Sequence, residues 1–162
     1  MWLIEDITIQ INTTVDRLAL LRLQNHSDLG CDVEVIYIYS LVDEQINYPL
    51  KSGKVLYIGE AMRHEEPTGK RFQHIAASQS EGNNYVSNYT LTQYYHLGKK
   101  LNLKIYRVSS DRENVEKQLL SYHLYKYGSK PIANGSTGEY CTSSYLKKLK
   151  SDFDLYGGMN II

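Results

Sequence analysis

The stretch VEVIYIYSLV, residues 33–42, decides the fold class, because most of its residues are aliphatic, β-branched or aromatic. A nearly continuous apolar run of this length is typical of a central strand that is covered on both faces. Residues 54–58, KVLYI, have the pattern of a second, shorter strand, which we expect to stop at Gly59. The two strands are close enough in the sequence to pair as an antiparallel hairpin.

Segments on both sides of this pair have the periodicity of further strands and helices. Strand-like alternation occurs in residues 4–11 and 103–110. Helical spacing occurs in residues 14–25, 70–78, 90–101, 112–127 and 143–153. Part of the first helical segment, LALLRLQ, also fits a strand, and Ser110 or Asp111 is placed to cap the fourth. This order predicts an α+β fold with a small sheet of about three strands, antiparallel or mixed, flanked by helices.

The composition favours one domain. The chain has 162 residues, of which 42% are hydrophobic and 22% charged, enough to bury a core without metal or disulfide cross-links. No apolar run approaches the roughly 18–20 residues that cross a bilayer, and the acidic N-terminus is unlike a signal peptide. We therefore expect a cytoplasmic protein with no membrane partner.

Cysteine content and charge exclude few classes of function. The two cysteines, Cys31 and Cys141, lack the spacing of a zinc site. Reduced thiols are the default inside a cell, and the sequence does not exclude a single disulfide between the two cysteines. The net charge is zero, so nucleic-acid binding has to be argued from local placement of basic residues.

The two central strand segments resemble the signature strands of the GIY-YIG nucleases. Tyr57-Ile58-Gly59 matches the family's second triplet letter for letter, and Tyr37-Ile38-Tyr39 stands in the place of the first. The first triplet departs from the family at Tyr37, where the family has glycine, and the loop between the triplets is longer than usual.

Downstream residues follow the family's order, so that the resemblance covers residues 33–135. Glu116 lies in VEKQLL, which is similar to the family's Glu-x-x-Leu-Ile segment, and Asn134 lies in KPIANG, which is similar to its Pro-x-x-Asn ending. Arg71 follows the second strand, somewhat later than the family's arginine, and Arg63 is the alternative.

The resemblance implies a Mg²⁺-dependent DNA endonuclease, with Mn²⁺ as an alternative ion. Its implied catalytic residues are Tyr39, Tyr57, Arg71, His74, Glu116 and Asn134. Tyr39 would be the general base and Tyr57 its partner, helped by a nearby cation because tyrosine has an ordinary pKa near 10. The arginine would bind phosphate, the glutamate would hold the metal ion, the histidine would share proton transfer, and the asparagine would hold local geometry.

Double-stranded DNA would contact basic clusters elsewhere in the chain, although solvated helix faces explain these clusters equally well. The predicted contacts are Lys70, Lys99, Lys100, Lys104, Lys147 and Lys148. Residues 1–32 and 136–162 would be N- and C-terminal extensions of a single domain, 1–162. The size favours a compact restriction-type or phage-type enzyme, active as a homodimer or higher assembly because one site cuts one strand. The alternative is a catalytically degenerate DNA-binding or interaction module on the same scaffold.

Overall fold

The structure is a computed structural model that describes residues 1–10, 14–75, 89–109 and 111–135. Its strands are β1 (Trp2–Ile9), β2 (Val35–Leu41), β3 (Ile46–Asn47), β4 (Ser52–Gly53), β5 (Val55–Ala61) and β6 (Leu101–Arg107). Its α-helices are α1 (Thr14–Arg22), α2 (Tyr89–His96) and α3 (Arg112–Tyr127). Short 3₁₀ turns cover Leu23–Asn25 and Ser27–Leu29, and a longer 3₁₀ segment covers Thr68–Ile75. The α+β class is confirmed.

The four long strands form one antiparallel sheet in the order β1-β6-β2-β5, and β3 pairs with β4 in a separate ribbon. β2 lies between β6 and β5, and all its residues but one are buried, as the apolar run predicted. The antiparallel pairing of β2 with β5 is also confirmed. The expected count of about three strands is too low, because β1 pairs along β6 and brings the N-terminal residues into the same sheet.

Helical segments cover both faces of this sheet. On one face, Tyr37 and Tyr39 belong to an apolar cluster that α1, α2 and the 3₁₀ segment complete, for example through the buried ring of Phe72. On the other face, α3 packs Leu119 against Ile58 and the even-numbered residues of β2. We call the first the tyrosine face and the second the α3 face. Burial of each such large side chain stabilises the fold by about 1.5–3 kcal/mol.

Two local expectations are wrong. β5 does not stop at Gly59 but continues to Ala61, and Gly59 pairs with Tyr37 within the sheet. Asp111 occupies the N-cap position of α3, but its backbone is left-handed, with φ 58°, and its side chain makes no capping hydrogen bond. The helix bounds predicted for α3 are confirmed.

Within the described ranges, no helix is long and apolar enough to span a membrane. The predicted helix over residues 143–153, and the extension 136–162 that contains it, lie outside the described residues.

Candidate active site

Two of the candidate tyrosines lie directly opposite each other in neighbouring strands. Tyr39 of β2 pairs with Tyr57 of β5, and the register between the strands shifts immediately after Tyr39, so that Ser40 pairs with Val55. This β-bulge leaves Leu56 without a direct partner in β2. Bulges of this kind bend a strand and re-aim its side chains, and here the bulge adjoins the tyrosine pair.

Gly59 makes room for aromatic rings rather than for a turn. A Cβ atom at Gly59 would lie 2.5 Å from Cε1 of Tyr57 and 2.7 Å from Cζ and the hydroxyl oxygen of Tyr37. Only a residue without a side chain allows both rings to cross this point of β5. The glycine of the second triplet therefore serves the packing of the tyrosines.

Tyr37 is the centre of the aromatic cluster on the tyrosine face. Its ring centroid lies 5.8 Å from that of Tyr57, 6.0 Å from that of Tyr39 and 5.2 Å from that of Phe72. The contacts with Tyr39 and Phe72 are edge-to-face, a favourable geometry for aromatic pairs. Sequence reasoning treated Tyr37 only as a departure from the family's glycine and missed its central position.

Arg71 reaches this cluster from the 3₁₀ segment. Its Nε donates a hydrogen bond to the Tyr37 hydroxyl at 3.3 Å. The neighbouring Phe72 is buried, and Gln73 donates to the Gln24 side chain at 3.0 Å, so that the two residues after Arg71 are held in place. The alternative arginine, Arg63, forms an ion pair with Glu66. Of the two arginines, Arg71 is the one beside the tyrosines.

Glu116 approaches from the other side, on α3. It lines a cleft of about 330 Å³ together with Tyr57, Lys130 and Asn134. Burial raises the pKa of Glu116 to about 7, and the negative charges of Glu60 and Glu113 add to the rise. Lys117 and Lys130 oppose this rise, so the cleft holds a carboxyl group whose pKa is raised mainly by burial.

Asn134 fastens the segment after α3 to the edge of the sheet. Its Oδ1 accepts a hydrogen bond from the Ile58 amide at 2.9 Å, and its Nδ2 donates to the Ile58 carbonyl at 2.6 Å. One residue earlier, the Ala133 amide donates to the Leu56 carbonyl at 2.9 Å. β5 is an edge strand of the sheet, and these bonds pair its outer side.

The two paired tyrosines differ in their access to solvent. Tyr39 is only 2% exposed, and burial raises its pKa well above the ordinary value, with Tyr37 adding to the rise and Arg71 opposing it. Tyr57 is half-buried and lines the cleft. Burial also raises the pKa of Tyr57, Tyr37 and Glu116 add to the rise, and Arg71 opposes it. The charges of both Arg71 and Glu116 therefore affect the pKa of Tyr57.

The residues at the cleft fit one hydrated divalent cation. The described ranges contain no group of three or more His, Cys, Asp or Glu side chains that could hold a metal ion. Mg²⁺ needs no such group where one carboxylate, retained waters and substrate phosphates supply its ligands. A cation at Glu116 would offset the negative charges that raise the pKa of its carboxyl group. Glu116 is the residue that would hold it.

For His74, the candidate proton-transfer residue, the structure describes the backbone only. Its backbone belongs to the 3₁₀ segment, three residues after Arg71, and its side chain lies outside the described part of the chain. The expected α-helical placement of these residues is replaced by a 3₁₀ conformation, in which residues three apart eclipse each other.

Four of the six candidate DNA-contacting lysines lie in the described ranges, and three of them are in ion pairs. Lys70 lies 2.9 Å from Glu66, Lys99 lies 2.5 Å from Glu44, and Lys104 lies 3.7 Å from Asp6. Lys100 lines a small cavity beside Asp43 and Glu44. Lys147 and Lys148 lie outside the described residues.

A larger groove lies away from this cleft. Its volume is about 540 Å³, and it is lined by residues at the far end of the sheet, including Ser40, Val55 and Lys104. It contains none of the candidate catalytic residues. Tyr57, Glu116 and Asn134 lie in the smaller cleft at the β5 edge, so cavity volume alone would not identify this cleft as the candidate site.

Comparison of the chain with models of protein families, with curated proteins and with solved structures finds no match.

Proposed function

We propose that the protein is a Mg²⁺-dependent DNA endonuclease of the GIY-YIG type. The observation that carries the proposal is the position of Tyr57, which adjoins Tyr37 and Arg71 on one side and shares a cleft with Glu116 and Asn134 on the other. Tyr57, Arg71, Glu116 and Asn134 are residues that the family resemblance implies, and their arrangement around Tyr57 supports the proposal.

Two basic residues would stabilise charge on the phosphate during phosphodiester hydrolysis. Arg71 presents a guanidinium, which matches phosphate oxygens and stays charged at any working pH. Lys130, which the sequence pattern does not mark, lines the same cleft and adds a second positive charge. Together they would neutralise the charge that develops on the phosphate in the transition state.

Tyr57 is better placed than Tyr39 to position the attacking water. A group that takes a proton must lie within hydrogen-bond reach of it, and the Tyr57 side chain lines the cleft, whereas Tyr39 is buried. The raised pKa of Tyr57 keeps its phenol protonated at neutral pH, so that it would orient the water through its oxygen. Arg71 and a cation at Glu116 would bring the phenol closer to ionisation.

A divalent ion bound at Glu116 would supply charge relief at the leaving oxygen. The chain's own contribution is to hold Glu116 beside Tyr57 through the packing of α3 on β5, where Leu119 lies in one cluster with Ile58. Because one cleft of this kind cuts one strand, cleavage of both strands of double-stranded DNA would need a homodimer or a higher assembly.

The test is cleavage of supercoiled plasmid and phage DNA with Mg²⁺, Mn²⁺ or EDTA. We expect the wild-type protein to cut with either metal and not with EDTA, and Glu116→Ala to lose at least about 100-fold in rate, since even indirect partners of a metal ligand contribute 10–100-fold. Glu65→Ala is the control, because Glu65 is an exposed glutamate that does not line the cleft. Equal rates for Glu116→Ala and wild type would contradict the proposed site.

One alternative, a catalytically degenerate DNA-binding or interaction module, has specific support. Tyr39, the general base that the resemblance implies, is buried, as expected of a site that has lost its activity. Retained DNA binding without cleavage under any metal condition would favour this alternative. Binding is measured on the same DNA by gel shift.

A further inference from the structure

Tyr37 is the residue in which this chain departs from the resembled pattern, and it has a structural partner. It pairs with Gly59 across β2 and β5, and its ring fills the space that a side chain at Gly59 would occupy. The ring also packs edge-on against Phe72, which precedes Gln73 in the 3₁₀ segment. Tyr37 is 4% exposed, so its hydroxyl must find its hydrogen-bond partners inside the protein.

Two neighbours of the Tyr37 side chain come from different elements, the 3₁₀ segment and β5. Arg71 donates its Nε–H to the Tyr37 oxygen at 3.3 Å. The Tyr57 ring packs against the Tyr37 ring with the centroids 5.8 Å apart, and the Tyr37 phenol adds to the rise in the pKa of Tyr57. Tyr37 thus contacts the guanidinium through its hydroxyl and the second phenol through its ring, which fixes these two groups relative to each other.

We propose that Tyr37 is a positioning residue that couples Arg71 to Tyr57. This inference rests on the proposed nuclease function and assigns a role that the family pattern does not contain, because glycine occupies this position there. Without the Tyr37 hydroxyl, the Arg71 guanidinium loses the hydrogen bond to its Nε and can rotate away from Tyr57. Arginine has several rotatable bonds, and a displacement of about 1 Å can cost on the order of 100-fold in rate.

The decisive variant is Tyr37→Phe, which removes one oxygen and leaves the ring on Phe72. Its matched control is Tyr106→Phe, because Tyr106 is a buried tyrosine of the same sheet on the α3 face. Thermal unfolding of both variants shows whether the fold persists. Should Tyr37→Phe fail to fold, Tyr37→Trp and Tyr37→Leu would test whether an apolar side chain at this position is tolerated.

The first measurement needs no activity. Proton–nitrogen correlation spectra of the full-length protein report the arginine Nε–H groups, and Arg71→Lys identifies the Arg71 signal. We expect the Arg71 Nε–H to exchange slowly in the wild type and in Tyr106→Phe, and to exchange faster with a shifted resonance in Tyr37→Phe. An unchanged Arg71 signal in folded Tyr37→Phe overturns the coupling, whatever the enzymatic activity.

The second measurement separates this inference from the proposed function. On plasmid DNA with Mg²⁺, we expect Tyr37→Phe to lower kcat by about 10- to 100-fold with little change in KM, since binding to the rest of the DNA is unaffected. Tyr106→Phe should keep the wild-type rate. A wild-type protein that does not cleave counts against the nuclease proposal alone, whereas an active wild type with an equally active Tyr37→Phe counts against the role of Tyr37.

Discussion

At the scale of single residues, Glu116 shows a conflict between stability and the proposed chemistry. Its carboxyl group is half-buried, and burial together with the charges of Glu60 and Glu113 raises its pKa to about 7. Ionisation of Glu116 therefore costs the folded protein free energy that the unfolded chain does not lose. Residues that are unfavourable for folding and lie in a cleft are typical of functional sites.

We predict that Glu116→Gln stabilises the protein at alkaline pH and not at acid pH. The folded pKa lies above the ordinary value of 4.5, so this group lowers wild-type stability as the pH rises from about 4.5 through 7. Glutamine has no charge to lose, so the advantage of Glu116→Gln grows over this range. Because the group is partly exposed, we expect a gain of only about 1 kcal/mol at pH 8.

Urea unfolding at pH 5 and pH 8 checks this prediction, with exposed Glu65→Gln as the control. A gain for Glu116→Gln that is the same at both pH values would mean that the carboxyl group titrates normally. Glu116→Gln should also show no metal-dependent cleavage. The same substitution would then raise the stability and abolish the activity.

At the scale of elements, edge strand β5 is held by a segment that is not a strand. The Ala133 amide bonds the Leu56 carbonyl, and the Asn134 side chain bonds both the amide and the carbonyl of Ile58. On the neighbouring part of the edge, the Tyr48 hydroxyl donates to the Val55 carbonyl at 2.5 Å and accepts from the Ile132 amide at 3.2 Å. The cleft wall opposite Glu116 depends on these bonds.

We predict that Asn134→Ala destabilises the protein by about 1–3 kcal/mol, because two partly buried backbone groups lose their partners. Hydrogen exchange at the Ile58 amide should accelerate more than exchange in β2, since β5 lies at the edge of the sheet. Asn134→Asp keeps an acceptor for the amide but not a donor for the carbonyl, so an intermediate loss is expected. The control is Asn47→Ala in exposed β3, and an unaltered exchange rate at Ile58 in Asn134→Ala would contradict the role of this side chain.

Elements whose identity depends on local pattern were predictable from the sequence. The apolar run of β2 predicted a central strand, because burial on both faces requires apolar residues at nearly every position. The position of α3 followed from the helical spacing of Leu119, His123 and Tyr127, which are buried. Gly59 was misread, since glycine ends many strands, and nothing local reveals that the Tyr37 ring crosses it from β2. The pairing of β1 with β6 was equally hidden, because about ninety residues separate the two strands.

The candidate site was predictable as a set of residues but not as an arrangement. Order along the chain placed Tyr57, Arg71 and Glu116 on suitable elements, and the choice between Arg71 and Arg63 needed the hydrogen bond to Tyr37. Burial of Tyr39 depends on how α1, α2 and the 3₁₀ segment pack over the sheet, and sequence spacing does not encode that packing.

At the scale of the whole molecule, a second titratable group opposes the effect of Glu116. His123 of α3 is fully buried, its ring centroid lies 4.8 Å from that of Tyr48 and 4.4 Å from that of Tyr127, and its Nδ1 lies 2.7 Å from the Ser129 carbonyl oxygen. Nε2 is buried without a hydrogen-bond partner in the described part of the chain. Burial lowers the pKa of His123 to about 4, and the charge of Lys126 acts in the same direction.

We predict that protonation of His123 lowers the free energy of unfolding at acid pH, because the buried ring is more stable in its neutral form. The folded pKa lies below the ordinary value of 6.5, so the wild type loses stability as the pH falls from about 6.5 to 4, by roughly 2 kcal/mol from this group. His123→Gln is less stable at pH 7, since it packs worse against the two tyrosines, but it should lack this loss of stability between pH 7 and pH 4. The measurement is the slope of the free energy of unfolding against pH, rather than its absolute value.

Exposed His64→Gln is the control. A His123→Gln slope equal to that of the wild type would mean that other groups lower the stability at acid pH. The pH windows of Glu116 (about 4.5–7) and His123 (about 4–6.5) overlap with opposite signs, so their contributions largely cancel in the wild type. Each single variant should therefore uncover the slope of the other group, and Glu116→Gln combined with His123→Gln should restore a pH dependence close to that of the wild type.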